Sequence, residues 1–179
     1  MTDIINFFGG PGTGKSTKMH VLVGALKTRG IEAEAAPEYA KEMVWQESQP
    51  DVLNNQIHVF GEQQNRIHRL LGEVDVVVTD APLLHSVAYD IHHDFDGPDE
   101  AFHELVYDQH SRLQNTNFLL RRPQDYETEG RLQNREEAEA VDGVVQDVLT
   151  QYSVPYTPLL TTATVDTILD VVREQTDVL

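Results

Sequence analysis

Cysteine is absent from the 179 residues. Disulfide scaffolds, thiol catalysis and cysteine-ligated zinc are excluded with it. Basic residues are scarce, 13 Lys and Arg against 30 Asp and Glu, giving a formal net charge of −17. Coating DNA or lying on anionic lipid needs a broad positive field that this chain lacks, although a small basic cleft stays compatible with it. No apolar run reaches the roughly 18 residues of a membrane span. An acid, Asp3, stands where a signal peptide would carry basic residues, so a soluble cytoplasmic protein with no membrane partner is expected. Nothing implies a stable protein partner. Internal repeats and low-complexity tracts are missing too. What is present is 40% hydrophobic residues, enough for one core, in a length that suits a single domain over 1–179.

Short apolar runs alternate with amphipathic ones. Ile4–Phe8 reads as a buried strand that breaks into glycines. A helix follows from Lys15 to Arg29, closed by Gly30. Residues 31–36 make a weak strand candidate, because Ala and Glu are poor strand formers. Pro37 opens a helix to about Glu47. The next helix carries a stripe of Leu53, Ile57, Phe60, Gln64, Ile67 and Leu71, apolar except where Gln64 interrupts it, and ended by Gly72. Val74–Asp80 has the consecutive valines of a strand buried on both faces. A helix from Pro82 to about Asp90, a polar loop over 92–99 and a helix over 101–113 come next. Asn117–Leu120 is a strand, 121–129 a mobile polar loop, and 135–151 a helix. A strand at 156–160 and a helix at 165–174 end the chain. The class is α/β with a parallel sheet.

The strongest signal is Gly9-Gly10-Pro11-Gly12-Thr13-Gly14-Lys15-Ser16, a full G-x-x-x-x-G-K-[ST] phosphate loop between a strand and a helix. Glycines let backbone N–H groups turn inward on phosphates. The following helix aims its positive end at them. Gly10, Pro11, Gly12, Thr13, Gly14, Lys15, Ser16 and Thr17 are the expected ATP-binding residues. Lys15 is placed to neutralise β- and γ-phosphate charge, Ser16 to ligate Mg²⁺, and Thr17 to meet the α-phosphate. Asp80 ends a strand, as the carboxylate that holds Mg²⁺ through water should, though it also suits a helix cap.

The destination of the phosphoryl group needs other residues. Glu38 follows the second strand and can orient or deprotonate a hydroxyl acceptor, or merely favour a helix dipole. Arg121, Arg122, Arg131 and Arg135 put four of the 13 basic residues into 15 positions. A lid over about 121–137 would use such arginines on the transferring group, with Arg131 favoured beside Gly130. Ion pairs with neighbouring glutamates are the alternative. Gln56, Gln63, Gln64 and Arg66 can read a base edge or form a solvated face, and Tyr39 and Trp45 can stack a ring or fill core. His92-His93-Asp94 with Asp96 offers poor metal geometry.

These stretches carry a resemblance over nearly the whole chain. Gly-Gly-Pro-Gly-Thr-Gly-Lys-Ser-Thr at 9–17, Pro-Glu-Tyr-Ala-Lys at 37–41 and Gln63-x-x-Arg66 belong to it, with Val-Thr-Asp-Ala-Pro-Leu-Leu at 78–84 and Glu-Gly-Arg-Leu-Gln at 129–133. The chain resembles small P-loop kinases of the nicotinamide-riboside kinase (NadR-like) type, especially bacteriophage relatives that phosphorylate 5-hydroxymethyluracil in DNA. The resemblance implies a P-loop NTPase three-layer sandwich with a five-stranded parallel sheet of order 2-3-1-4-5. It implies ATP and Mg²⁺ as cofactors, a modified DNA base as acceptor, and a host-cytoplasm location for a phage protein. Glu38, Asp80 and Arg131 carry over as catalytic positions beside Lys15. Tyr39, Gln63 and Arg66 are the expected acceptor contacts. Three readings stay open: a kinase of a hydroxymethylated base in DNA, a kinase of a free nucleoside, nucleotide or nicotinamide riboside, and a nucleotide-dependent switch.

Overall fold

The computed structural model describes residues 1–45, 55–93, 100–122 and 135–178. Five parallel strands form one sheet of order β2-β3-β1-β4-β5. They are β1 (Asp3–Phe8), β2 (Ala33–Ala36), β3 (Val76–Thr79), β4 (Gln114–Arg121) and β5 (Thr157–Leu160). The helices are α1 (Lys15–Lys27), α2 (Tyr39–Trp45), α3 (Gln56–His68), α4 (His85–His93), α5 (Glu100–Ser111), α6 (Arg135–Gln151) and α7 (Val165–Gln175). The class and the strand order agree with expectation.

Side-chain alternation along the strands divides the core in two. Ile5, Phe7, Val76, Val78, Phe118 and Leu120 face α1 and α7, where Met19, Leu22, Leu26, Ile168, Leu169 and Val172 meet them. Ile4, Phe8, Val77 and Leu119 face the other layer, against Phe60, Val87, Phe102, Val106 and Val145. The valines of β3 are wholly buried, as covering on both faces demands.

Local readings change in three places. The buried face of α3 is Gln56, Phe60, Gln63 and Ile67, while Ile57 is 60% exposed. The stripe was drawn through Ile57 and Gln64 because apolar spacing alone cannot show that a helix flanks a polar cavity. Helix α4 continues through His93, so His92 and His93 are helical. Strand β4 begins three residues early, because Gln114, Asn115 and Thr116 pair with Asp3, Ile4 and Ile5. An amide ladder supports that polar stretch: Asn6 donates to Asn115 and Asn117 at 2.8 and 2.9 Å.

Register places the strand ends together. Asn6 and Ala36 both pair with Thr79, so the segments after β1, β2 and β3 leave the sheet at one edge. That edge is where open parallel sheets bind ligands. No helix among the described residues is long and apolar enough to cross a membrane.

Candidate active site

After β1 the chain turns through Gly9, Gly12 and Gly14, all at positive φ, and enters α1 at Lys15. A side chain at Gly12 or Gly14 would be strained there, which the loop avoids with glycine. Gly10 is glycine for another reason. A Cβ on it would lie 2.6 Å from Asp142 Oδ1 and 2.8 Å from the Ala138 carbonyl, so the close approach of α6 forbids one. Inside the loop, Lys15 Nζ donates to the Gly10 carbonyl at 2.8 Å, and Thr13 Oγ1 donates to the same oxygen at 2.9 Å. The Thr13 side chain is buried and serves the loop itself.

Asp80 lies directly after β3 and is 2% exposed. Its Oδ2 accepts from Ser16 Oγ at 2.5 Å, and its Oδ1 accepts from the Glu38 backbone N–H at 2.9 Å. One carboxylate therefore joins the phosphate loop to the segment after β2. An all-oxygen set of one buried carboxylate and one hydroxyl fits Mg²⁺, which takes few protein ligands and completes its shell with phosphates and water. Among the described residues, no group of three or more His, Asp or Glu could hold a metal ion alone.

Burial pushes the Lys15 ammonium below its ordinary pKa, and Glu38, Asp80 and Asp142 act against that shift. Burial pushes the Glu38 carboxyl up, opposed by Lys15 and reinforced by Asp80. An acid with a raised pKa is a better proton acceptor once ionised.

A cavity of about 720 Å³ connects these groups to a second wall. Pro11, Gly12, Gly14, Lys15, Ser16 and Thr17 line one end. Glu38 stands between, and Tyr39, Gln56, Gln63, His85, Tyr89 and His93 line the far part. Gln63, 4% exposed, accepts from the Tyr39 backbone N–H at 3.0 Å and makes long contacts to Thr79 Oγ1 and the Ala36 carbonyl. Its amide thus ties the ends of β2 and β3 to α3. The Tyr39 hydroxyl meets His58 Nε2 at 2.9 Å.

Arg66 sits behind this wall. Its guanidinium pairs with both Glu42 oxygens at 2.7 and 2.6 Å and lies 5.3 Å from the Tyr39 ring centre. Arg122 is directed inward, its Nε 2.6 Å from Asp142 Oδ2 and its terminal nitrogen on the Pro11 carbonyl. Arg121 ends β4 with an exposed side chain, and Arg135 starts α6. Arg131, Asp94 and Asp96 lie outside the described residues.

A family model described as an AAA domain matches residues 4–166. The chain belongs to that family. No curated protein matches it. Among solved structures it is similar to a thymidylate kinase from Ehrlichia chaffeensis, with a TM-score of 0.65 and 14% identity over 98% of this chain and 100% of that one. It is also similar to a NadR protein solved in complex with NR, with a TM-score of 0.72 and 16% identity. That match covers 99% of this chain and 52% of the other, so this AAA-domain chain spans about half of it. At these identities the likeness is one of fold.

Two features of this AAA-domain chain escaped the sequence reading. His85, Tyr89 and His93 stand at i, i+4 and i+8 on α4 and form a ladder of rings along the cavity. His85 and Tyr89 meet edge to face at 6.2 Å, and Tyr89 and His93 stack at 6.1 Å. The spacing was visible, but reading His92 onward as loop concealed it. His85 is 6% exposed, and burial together with Lys15 pushes its pKa well below the ordinary value. The second feature is Asp142, one of many acids on α6, for which the sequence offers no signal.

Proposed function

We propose that the chain is an ATP-dependent phosphotransferase whose acceptor is the primary hydroxyl of a small ring-bearing molecule, a free nucleoside of pyrimidine type. The observation that carries this reading is the single cavity in which the phosphate loop, Glu38 and a wall of rings and amides follow one another. A hydrolysing switch has no use for that wall.

In this reading Lys15 and the loop N–H groups hold the β- and γ-phosphates. Ser16 and Asp80 hold Mg²⁺, which when bound spreads the charge of the phosphates. Glu38 orients the acceptor hydroxyl and takes its proton as the oxygen bonds to the γ-phosphorus. The bond from that phosphorus to the bridging oxygen breaks, and ADP leaves. Tyr39, Gln63 and the ring ladder position the acceptor, whose in-line placement supplies most of the rate gain.

A second reading keeps the chemistry and takes 5-hydroxymethyluracil in DNA as acceptor. The Pro-Glu-Tyr-Ala-Lys and Asp-Ala-Pro-Leu-Leu stretches favour it. Charge opposes it. Arg122, whose charge a DNA groove would need, is engaged by Asp142, and the chain carries −17 overall. The base would also have to leave the stack to reach the cavity.

The test is transfer of label from γ-labelled ATP with Mg²⁺. Thymine DNA, 5-hydroxymethyluracil DNA and a panel of free nucleosides and nucleotides are offered in parallel. Label on a free compound supports the first reading, label on hydroxymethylated DNA alone establishes the second, and release of phosphate without any labelled acceptor overturns both.

A further inference from the structure

Helix α6 grips the first half of the phosphate loop through one acid. Asp142 Oδ1 accepts from the Gly10 N–H at 2.5 Å, while Oδ2 accepts from Arg122 Nε at 2.6 Å. Arg122 in turn donates to the Pro11 carbonyl. Gly10 is held on its other side as well, since its carbonyl accepts from Lys15 Nζ and Thr13 Oγ1. Gly10 is thus fixed at both of its polar atoms, its N–H by Asp142 and its carbonyl by Lys15, in the two peptide planes that flank its Cα. The missing Cβ at Gly10 admits the carboxylate, and both partners of the ion pair are largely buried.

We propose that Asp142 and Arg122 are a positioning pair for Lys15, acting through the Gly10-Pro11 backbone. The inference rests on the reading of the loop as a nucleotide site. Asp142 fixes the Gly9–Gly10 peptide and Arg122 the Pro11 carbonyl, so the Gly10–Pro11 peptide between them is held where its carbonyl meets the Lys15 ammonium before nucleotide arrives. Charge-assisted bonds to backbone are short and directional, which suits this task. Arg122 completes the grip at Pro11 and holds the carboxylate in place. A second consequence follows for Arg122: its charge is spent on Asp142 and is not aimed at a transferring phosphoryl group.

The experiment measures MgATP dissociation constants and melting temperature for the wild-type chain, Asp142→Ala, Asp142→Asn, Arg122→Ala and the double alanine variant. Asp142→Ala is expected to weaken MgATP roughly tenfold, the range of coupled neighbours in one network. The double variant is expected to be no weaker than Asp142→Ala, because both substitutions cut one grip. Asp142→Asn keeps an oxygen for the Gly10 N–H and recovers at least part of the affinity. A role confined to docking α6 would lower the melting temperature while leaving MgATP affinity within about twofold, and that result overturns the proposal. Multiplying effects in the double variant overturn it too. Should Asp142→Ala not fold, the isosteric Asp142→Asn and Arg122→Ala are compared directly, and wild-type affinity in both overturns it. Wild-type protein that fails to bind MgATP refutes the nucleotide site itself, whereas wild-type binding with unaffected variants refutes only the positioning pair.

Discussion

The two ends of the cavity are built in opposite ways. The phosphate end comes from one continuous stretch, Gly9 to Thr17, which Asp142 and Arg122 hold from outside at Gly10 and Pro11. The far end comes from α2, α3 and α4, with Tyr39, Gln63 and Tyr89 each on a different helix. Glu38 lines the cavity between them, and Asp80 accepts its backbone N–H because β2 and β3 are paired in register. A contiguous loop carries much of its own geometry. A wall assembled from separate helices depends on every element that holds them.

The comparison can be broken most severely at its phosphate end. Lys15→Ala is expected to lower transfer by about 10³-fold or more, as loss of a central charge on the transferring group does. The melting temperature should stay near wild type, because Lys15 contributes burial cost as well as contacts. Full activity in this variant would sink the phosphotransfer reading.

Glu38→Gln sharpens the contrast where the two ends join. Transfer should fall by about 10²–10⁴-fold, the usual contribution of a general base, with MgATP affinity unchanged. A variant that still transfers at the wild-type rate removes Glu38 from the chemistry.

Gln63→Leu tests the assembled end. It leaves the Tyr39 N–H without its acceptor and should cost about 1–3 kcal/mol of stability, read from denaturant unfolding. Tyr89→Ala should raise the acceptor KM about tenfold with the ATP KM unaltered, since one ring contact is lost from the ladder. Equal shifts in both Michaelis constants would mean that the two ends are not separable.

The smallest effect is a shift in pH dependence. Lys41 favours the ionised Glu38, and burial and Asp80 disfavour it. Replacing Lys41 by Met removes a positive charge and raises the Glu38 pKa further. The carboxylate form needed for catalysis is then lost at a higher pH on acidification, so the acid limb of kcat moves upward. Movement in the other direction would show that another group sets that limb.

The same contrast explains what could be read in advance. The phosphate loop was legible because its chemistry needs glycines, Lys and Ser at set spacings within one turn. Asp80 and Glu38 were legible as polar residues at strand ends. Helix α3 was misread because Gln56 and Gln63 are buried for polar reasons, and Ile57 is apolar yet exposed. Periodicity reports a hydrophobic face, and this helix turns amides toward a cavity.

The amino-acid sequence alone determined the alternation of strands and helices, the phosphate loop and the side chains that bear charge at the strand ends. These follow from local sterics and from the period of burial, which neighbouring residues settle among themselves. The tertiary structure decided the rest. It brought α6 against Gly10, turned Arg122 toward Asp142, and set the rings of α4 across a shared cavity from Tyr39 and Gln63. Such contacts join residues tens to more than a hundred positions apart, as Gly10 and Asp142 are. Their energy depends on the packing of whole elements, which no short window of sequence contains.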